Sequence, residues 1–280
     1  FSETSTFVDH IYNLTISFPS TEYEQSADNG KSFAAHVTIG EGKQVNTTTF
    51  AEDTWETIAA AVKNGQLDAY PLGSEKEVEI SGTNYTVRVA NNTTPTECSR
   101  TDFSQTAGGL VVEFVDILMT GSMNSTNTNV GGWPATEAKA LANGEYFNYL
   151  PNDLQSVIVD TKVVSGHGSN DTDNFTSTDK LYLLSPHEVW EDVSSNSELK
   201  KYDTAYNNTR QLDYYKSKGV TTNSYSDAIK KNINGNASDW WLRAAVSINK
   251  NTFWYVDDIG NYSDTTADRA NSFAPAFRIG

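Results

Sequence analysis

Cysteine occurs once in the 280 residues, at Cys98, so no disulfide can form within the chain. That fits the cytosol, or a bacterial surface protein that does not rely on disulfides. Cationic residues are scarce too: 20 Lys and Arg stand against 36 Asp and Glu, for a net charge of −16. Phosphate backbones are recognised by basic surfaces, so nucleic acid is excluded as an expected partner. Anionic membrane surfaces are disfavoured for the same reason. No apolar run reaches the roughly 18 residues a membrane span needs, so direct membrane insertion is not expected. Neither a signal peptide nor an initiator Met is present, and the expectation is a processed or excised part of a longer protein. No internal repeat of fixed period is visible.

Apolar residues make up only 37%, yet 14 Tyr, 12 Phe and 6 Trp are available to build a core. The remainder is rich in Asn, Ser and Thr and low in Lys, which by analogy of composition favours an extracellular, cell-surface location. Asn-x-Ser/Thr triplets recur, for example at Asn84, Asn124 and Asn261. A chain of this composition makes many such triplets by chance.

Three short apolar runs dominate the C-terminus: Trp240-Trp241-Leu242, Phe253-Trp254-Tyr255-Val256 and Ala274 to Ile279. Aromatic and β-branched residues in short runs read as buried strands. Between them lie polar runs, Ser247 to Thr252 and Asp257 to Asn271, expected as exposed loops on a rigid frame.

Upstream, Tyr12 to Phe18 and Phe33 to Ile39 alternate with period two, which predicts a small β unit over residues 1–50. A helix is expected over Thr54 to Asn64, capped by Asp53 and ended by Gly65. A hairpin follows, with Val78 and Ile80 facing Tyr85, Val87 and Val89 across Ser81-Gly82-Thr83. Gly109 to Leu118 reads as a central strand. Pro134 should open a helix reaching Ala142 and stopped by Asn143-Gly144. A short helix from Pro151 to Val157 leads into a strand from Ile158 to Val164. Polar loop is expected over Gly166 to Ser177, a strand over Lys180 to Leu184, and a capping box at Ser185-Pro186-His187-Glu188. Helices are further expected over Thr204 to Lys218 and Ser226 to Lys231. Helices and strands are not regularly interleaved, which argues for an α+β class.

Few constellations promise chemistry. Gly166-His167-Gly168-Ser169 brings a His near a Ser, but no Gly-x-Ser-x-Gly elbow is present, and a flexible glycine loop is the simpler reading. The four histidines lack zinc-ligand spacing. Asp171, Asp173 and Asp179 offer oxygen ligands to a calcium ion, though the EF-hand glycine and terminal Glu are missing. No other cofactor is implied. Arg243 and Arg278 read as locks on buried carboxylates or carbonyls, with anion binding as the alternative. Trp133, Trp240 and Trp241 could form a sugar platform, but large aromatics are more often core. The candidate ligand surface is Asn249, Asn251, Trp254, Tyr255, Asp257, Asp258, Asn261, Tyr262 and Asp264. These are side chains of the kind that antibody-type paratopes use.

Several of these segments also carry a resemblance. Trp240 to Arg243, followed by Pro275-Ala276-Phe277-Arg278-Ile279, is similar to the WWLRS…GVRPAFRI ending of a family of bacterial surface domains with no assigned activity. Met123 to Pro134, Leu150 to Ile158 and Thr178 to Ser185 resemble further signatures of that family, so the likeness covers about residues 53–280. Ser272-Phe273-Ala274 stands where Gly-Val-Arg is usual, so one frame arginine is missing. The ending also resembles the C-type lectin fold of formylglycine-generating enzyme and of the variable proteins of diversity-generating retroelements. The first activity is not implied, because it needs a cysteine pair. Nor is a calcium-dependent sugar site, because the Glu-Pro-Asn and Trp-Asn-Asp motifs are absent. The resemblance implies a C-type-lectin-like domain over 53–280 behind the N-terminal β unit. Its expected role is adhesin-like binding of a protein or glycan ligand, with loops that could be diversified. The alternatives are a filament or stalk subunit self-assembling through the β unit, or a glycan or peptide hydrolase.

Overall fold

A computed structural model describes residues 45–194 and 196–280. The strands expected within residues 1–44 lie outside the described residues. The described part is α+β, and one continuous apolar core runs through it.

Helix α1 spans Trp55–Lys63. Its cap is Thr54, whose side chain accepts the Thr57 amide, and not Asp53 as expected. Asp53 is buried and accepts from the Thr48 hydroxyl at 2.7 Å and the Tyr70 hydroxyl at 2.8 Å. Burial would raise its carboxyl, but these hydrogen bonds and nearby Lys76 hold it below the ordinary carboxylate range. Trp55, Ile58, Ala59 and Ala61 form the buried face, with Trp55 edge-on to Phe277 at 6.3 Å.

The hairpin forms as expected. Strands β1 (Glu75–Ile80) and β2 (Thr83–Asn91) are joined by Ser81 and Gly82, both at positive φ (52° and 81°). A two-residue turn of that kind matches the twist of its strands. Strand β3 (Leu110–Phe114) then pairs with β2. Within this buried strand, Glu113 receives Arg88 at 2.8 Å, Lys230 at 2.7 Å and the Tyr215 hydroxyl at 2.8 Å. Burial alone would raise its carboxyl, but Arg88 and Lys230 hold it down to about 2. Strand β4 (Met119–Gly121) follows.

The helix expected from Pro134 begins later. Pro134 lies in a 3₁₀ turn, Thr136 caps α2 (Glu137–Leu141), and the chain continues past Asn143-Gly144 through a π turn into α3 (Phe147–Tyr149). Helix α4 (Asn152–Val157) leads to β5 (Thr161–Ser165), which pairs with β6 (Phe175–Asp179). The polar loop is therefore shorter than expected. Lys180 to Leu184 is connecting chain, buried from Leu181 onward, and not a strand, with a single bridge from Tyr182 to Ala276. Short helices α5 (Pro186–Val189), α6 (Glu198–Tyr202) and α7 (Asp213–Ser217) follow. The long helix expected over Thr204 to Lys218 is broken into a 3₁₀ turn and α7. Likewise only Ser226–Ala228 is helical in the next segment, and Lys230 sits in β7 (Lys230–Lys231), paired with β8 (Ala237–Ser238).

The C-terminus supplies β9 (Trp240–Ala245), β10 (Thr252–Val256), β11 (Tyr262–Thr266), β12 (Asn271–Phe273) and β13 (Ala276–Ile279). The second polar run thus holds one whole strand, β11, and ends on the first residue of β12. One sheet has the order β11-β10-β9-β12-β4 and the other β1-β2-β3-β13. Between β12 and β13 stand only Ala274 and Pro275, where the chain passes from one sheet to the other. The terminal motif is thereby a strap joining the two sheets: Phe277 sits opposite Val112 and packs edge-on to Phe114 at 6.2 Å.

Candidate functional site

The tryptophans and arginine of the C-terminal frame are structural. Successive strand residues point to opposite faces, yet Trp240 and Trp241 are both 0% exposed, so this strand is covered on both sides. Their ring N–H groups reach the carbonyls of Ala228 at 3.1 Å and Gly121 at 3.0 Å. Trp133 is buried too and donates to Asp179 at 2.8 Å. None of the three offers a face to a sugar. Arg243 grips Glu188 with two parallel bonds of 2.6 and 2.7 Å and donates to the carbonyls of Val164 at 3.1 Å and Leu183 at 2.9 Å. Such bidentate pairs are the strong, directional ones. Burial would raise the Glu188 carboxyl, but Arg243, with Thr106 and the Ser185 amide, holds it below its usual range. Arg278 is different: its guanidinium lies against Gly109, its Nε has no partner, and no carboxylate pairs with it among the described residues.

The nine candidate ligand residues do not form one surface. Asn249 and Asn251 lie in the β9–β10 turn, whereas Asp257, Asp258 and Asn261 lie in the β10–β11 turn. Strands of about five residues are roughly 17 Å long, so the two turns occupy opposite ends of the sheet. Trp254 is only 2% exposed and belongs to the core, so it is no ligand contact as placed. It pairs with Asp264 in register and packs edge-on to Tyr262 at 5.9 Å. Tyr255 lies on the other face, half-buried against Trp241. Asp257 closes its own turn by accepting the Ile259 and Asn261 amides at 3.1 and 2.7 Å.

At the β9–β10 end, three polar loops meet. The buried Asn129 side chain donates to the carbonyls of Asn249 and Thr252, both at 3.0 Å. The Ser169 amide donates to the same Asn249 carbonyl at 2.9 Å, and the Gly131 amide donates to Asp171 at 3.0 Å. The Asn249 side chain donates to Thr252 at 3.0 Å and leans toward Asp264 at 3.5 Å. Loops 123–132, 166–174 and 246–251 are thus tied into one end face. Gly168 is needed for this closure, because a Cβ there would fall 2.2 Å from Asn129 Oδ1. The glycines around His167 therefore serve packing. Outward from the staple stand Val130 at 46% exposure, Ile248 at 59%, and the exposed Ser169, Asn170, Lys250 and Asp264.

The three candidate calcium ligands are not gathered. Asp179 is buried under Trp133, Ser177 and Lys139, while Asp171 holds Gly131 and Asp173 is exposed beside Thr172. Among the described residues, no group of three or more His, Cys, Asp or Glu is placed to hold a metal ion. His187 stacks on Tyr206 at 3.8 Å, and burial lowers its pKa. Below the 166–174 loop lies Asp203, buried, with Oδ1 on the Ala205 amide at 3.0 Å and Oδ2 without a partner. Burial pushes its carboxyl up to about 7.

The sequence assigns no role to Asn129, and to Glu188 only its place in the capping box, not its pairing with Arg243. Both lie inside stretches already conspicuous, the Met123 to Pro134 run and the capping box, but their partners are 120 and 55 residues away along the chain.

A two-sheet α+β frame with stapled loops at one end defines the class. Residues 110–280 match the family described as a domain of unknown function, DUF6273, and the chain belongs to it. No curated protein and no solved structure matches significantly. The match omits α1, β1 and β2, which nonetheless share the core and the first sheet with the matched part.

Proposed function

We propose that this chain is an extracellular binding module of a bacterial surface protein, C-type-lectin-like in plan, and that the three-loop end face takes a protein or glycan ligand. The observation that carries this reading is the Asn129 staple. A buried amide spends its donors on fixing the backbone of the neighbouring loop, while the side chains beyond it face solvent. Preorganising a loop in this way reduces the ordering cost of binding. Exposed aliphatics set among Asn, Ser, Lys and Asp suit an adaptable interface. The ion pairs of Arg243 with Glu188 and of Lys230 with Glu113 are enclosed as frame and do not open onto this face.

The test is an array of glycans and extracellular proteins probed with the purified chain. Saturable binding that is lost in Val130→Ser/Ile248→Ser/Lys250→Ser is the expected result. Turnover of an arrayed glycan or peptide would overturn the reading in favour of a hydrolase.

A further inference from the structure

A second opening lies away from the three loops. It is a groove of about 250 Å³ between the tip of the β1–β2 hairpin, the start of β4 and helix α3. Tyr85, Tyr146 and Tyr149 line it, with Ile80, Leu118 and Met119. Tyr146 and Tyr149 are three apart on continuous helical chain and so share a face. Their ring centroids are 6.5 Å apart and their planes meet at 48°. Tyr149 is 50% exposed, so its ring is open to solvent. Its hydroxyl donates to Glu145 Oε1 at 2.7 Å.

The chemistry of this lining is one-sided. Aromatic faces carry the negative end of the ring quadrupole and attract cations. A phenol that donates to a carboxylate keeps its ring electron-rich, and Glu145 places a full negative charge beside it. Among the described residues, no Lys or Arg lines the groove. The net charge of −16 adds a long-range field of the same sign. Hydroxyls for a sugar are few, since among the described residues only Ser81 and Thr83 contribute aliphatic ones. Ile80, Leu118 and Met119 instead offer apolar contact to alkyl groups.

We propose that this groove binds a small, free organic cation: an ammonium whose substituents are apolar, of the trimethylalkylammonium kind. This site is independent of the three-loop face. The test is calorimetric titration of the full chain with choline and with 3,3-dimethylbutan-1-ol, which has the same shape without the charge. Choline should bind at least about ten-fold more tightly than the neutral analogue. Tyr149→Ala should weaken choline about ten-fold or more, and Glu145→Gln several-fold, with melting curves unchanged. Both side chains are exposed, so the variants are expected to fold. Equal binding of the two probes would overturn the proposal, as would unaltered affinity in Tyr149→Ala. So would no heat from choline at ~10 mM. Glucose binding in its place would make the groove a sugar site. Binding of phosphatidylcholine vesicles without binding of free choline would make it a lipid site.

Discussion

Arg243→Met keeps a long side chain in the space but removes every donor of the guanidinium. Both Glu188 oxygens lose a charged partner, and the carbonyls of Val164 and Leu183 lose their bonds. Glu188 retains only the Ser185 amide and the Thr106 and Thr209 hydroxyls. Breaking a fully buried ion pair from one side costs about 3–5 kcal/mol, because the other charge stays enclosed. The two orphaned carbonyls add to that, though not additively. Against a typical stability of about 5–15 kcal/mol, the variant should be folded but weak. For a domain of this size the melting point should fall by roughly 10 °C or more. Urea melts of the wild type, Arg243→Met and Arg243→Met/Glu188→Gln decide the matter. Removing the stranded charge should recover part of the loss. In the wild type the Glu188 carboxyl is held below its ordinary value, so its contribution is present above about pH 4.5 and is lost as pH falls through the lowered folded value. In Arg243→Met the uncompensated carboxylate should become more stable, not less, as acid neutralises it. A loss under about 1 kcal/mol, or no recovery in the double variant, would refute the lock.

Asp203→Asn should remove a pH dependence. Burial pushes its folded carboxyl up to about 7, above the ordinary carboxylate value of about 3.9, so wild-type stability should decline as pH rises between those two values, by an amount on the order of a few kcal/mol. Melting midpoints at pH 5 and 8 should differ less in the variant, and an equal difference would contradict the assignment. Trp240→Ala and Trp241→Ala should each cost about 3–5 kcal/mol in denaturant melts, since both rings are enclosed. A neutral result for either would place that ring at the surface. Ser185→Ala should shift the midpoint by no more than about 0.5 kcal/mol. The capping residues are in place, but the made bond is the Ser185 amide to Glu188 at 3.0 Å, and the serine hydroxyl has no full hydrogen-bond partner. A loss above about 1 kcal/mol would show that the hydroxyl caps the helix after all.

Local pattern made much of the frame legible. The hairpin was readable because its turn chemistry and period two agree, and α1 because its apolar face and terminal Gly65 coincide. The C-terminal aromatic runs became strands for the same reason. What escaped was set by distant partners. Lys180 to Leu184 has the composition of a strand but is consumed in core packing and one bridge to Ala276. Lys230 lies in a stretch that reads as helix, yet its ammonium is drawn inward to Glu113, from a strand 117 residues earlier. The polar stretch Asp257 to Asn271 concealed β11 because an edge strand needs no apolar side. The candidate ligand residues are divided for a similar reason. Composition identified residues suited to binding, but only the register of β10 and β11 shows that they divide between two ends and two faces. The end that gathers three loops was found through Asn129, whose role depends on a carbonyl 120 positions on.

Under the proposed function, a fixed frame presents the three-loop end to a ligand. Its most direct test is a paired measurement on Val130→Ser/Ile248→Ser/Lys250→Ser, using the partner found on the array. Affinity is read by titration and stability by thermal melting. Affinity should fall at least about ten-fold, with a melting point within about 2 °C of the wild type, because exposed substitutions leave the frame untouched. Unchanged affinity in a folded variant would place the binding surface elsewhere and contradict the proposed function.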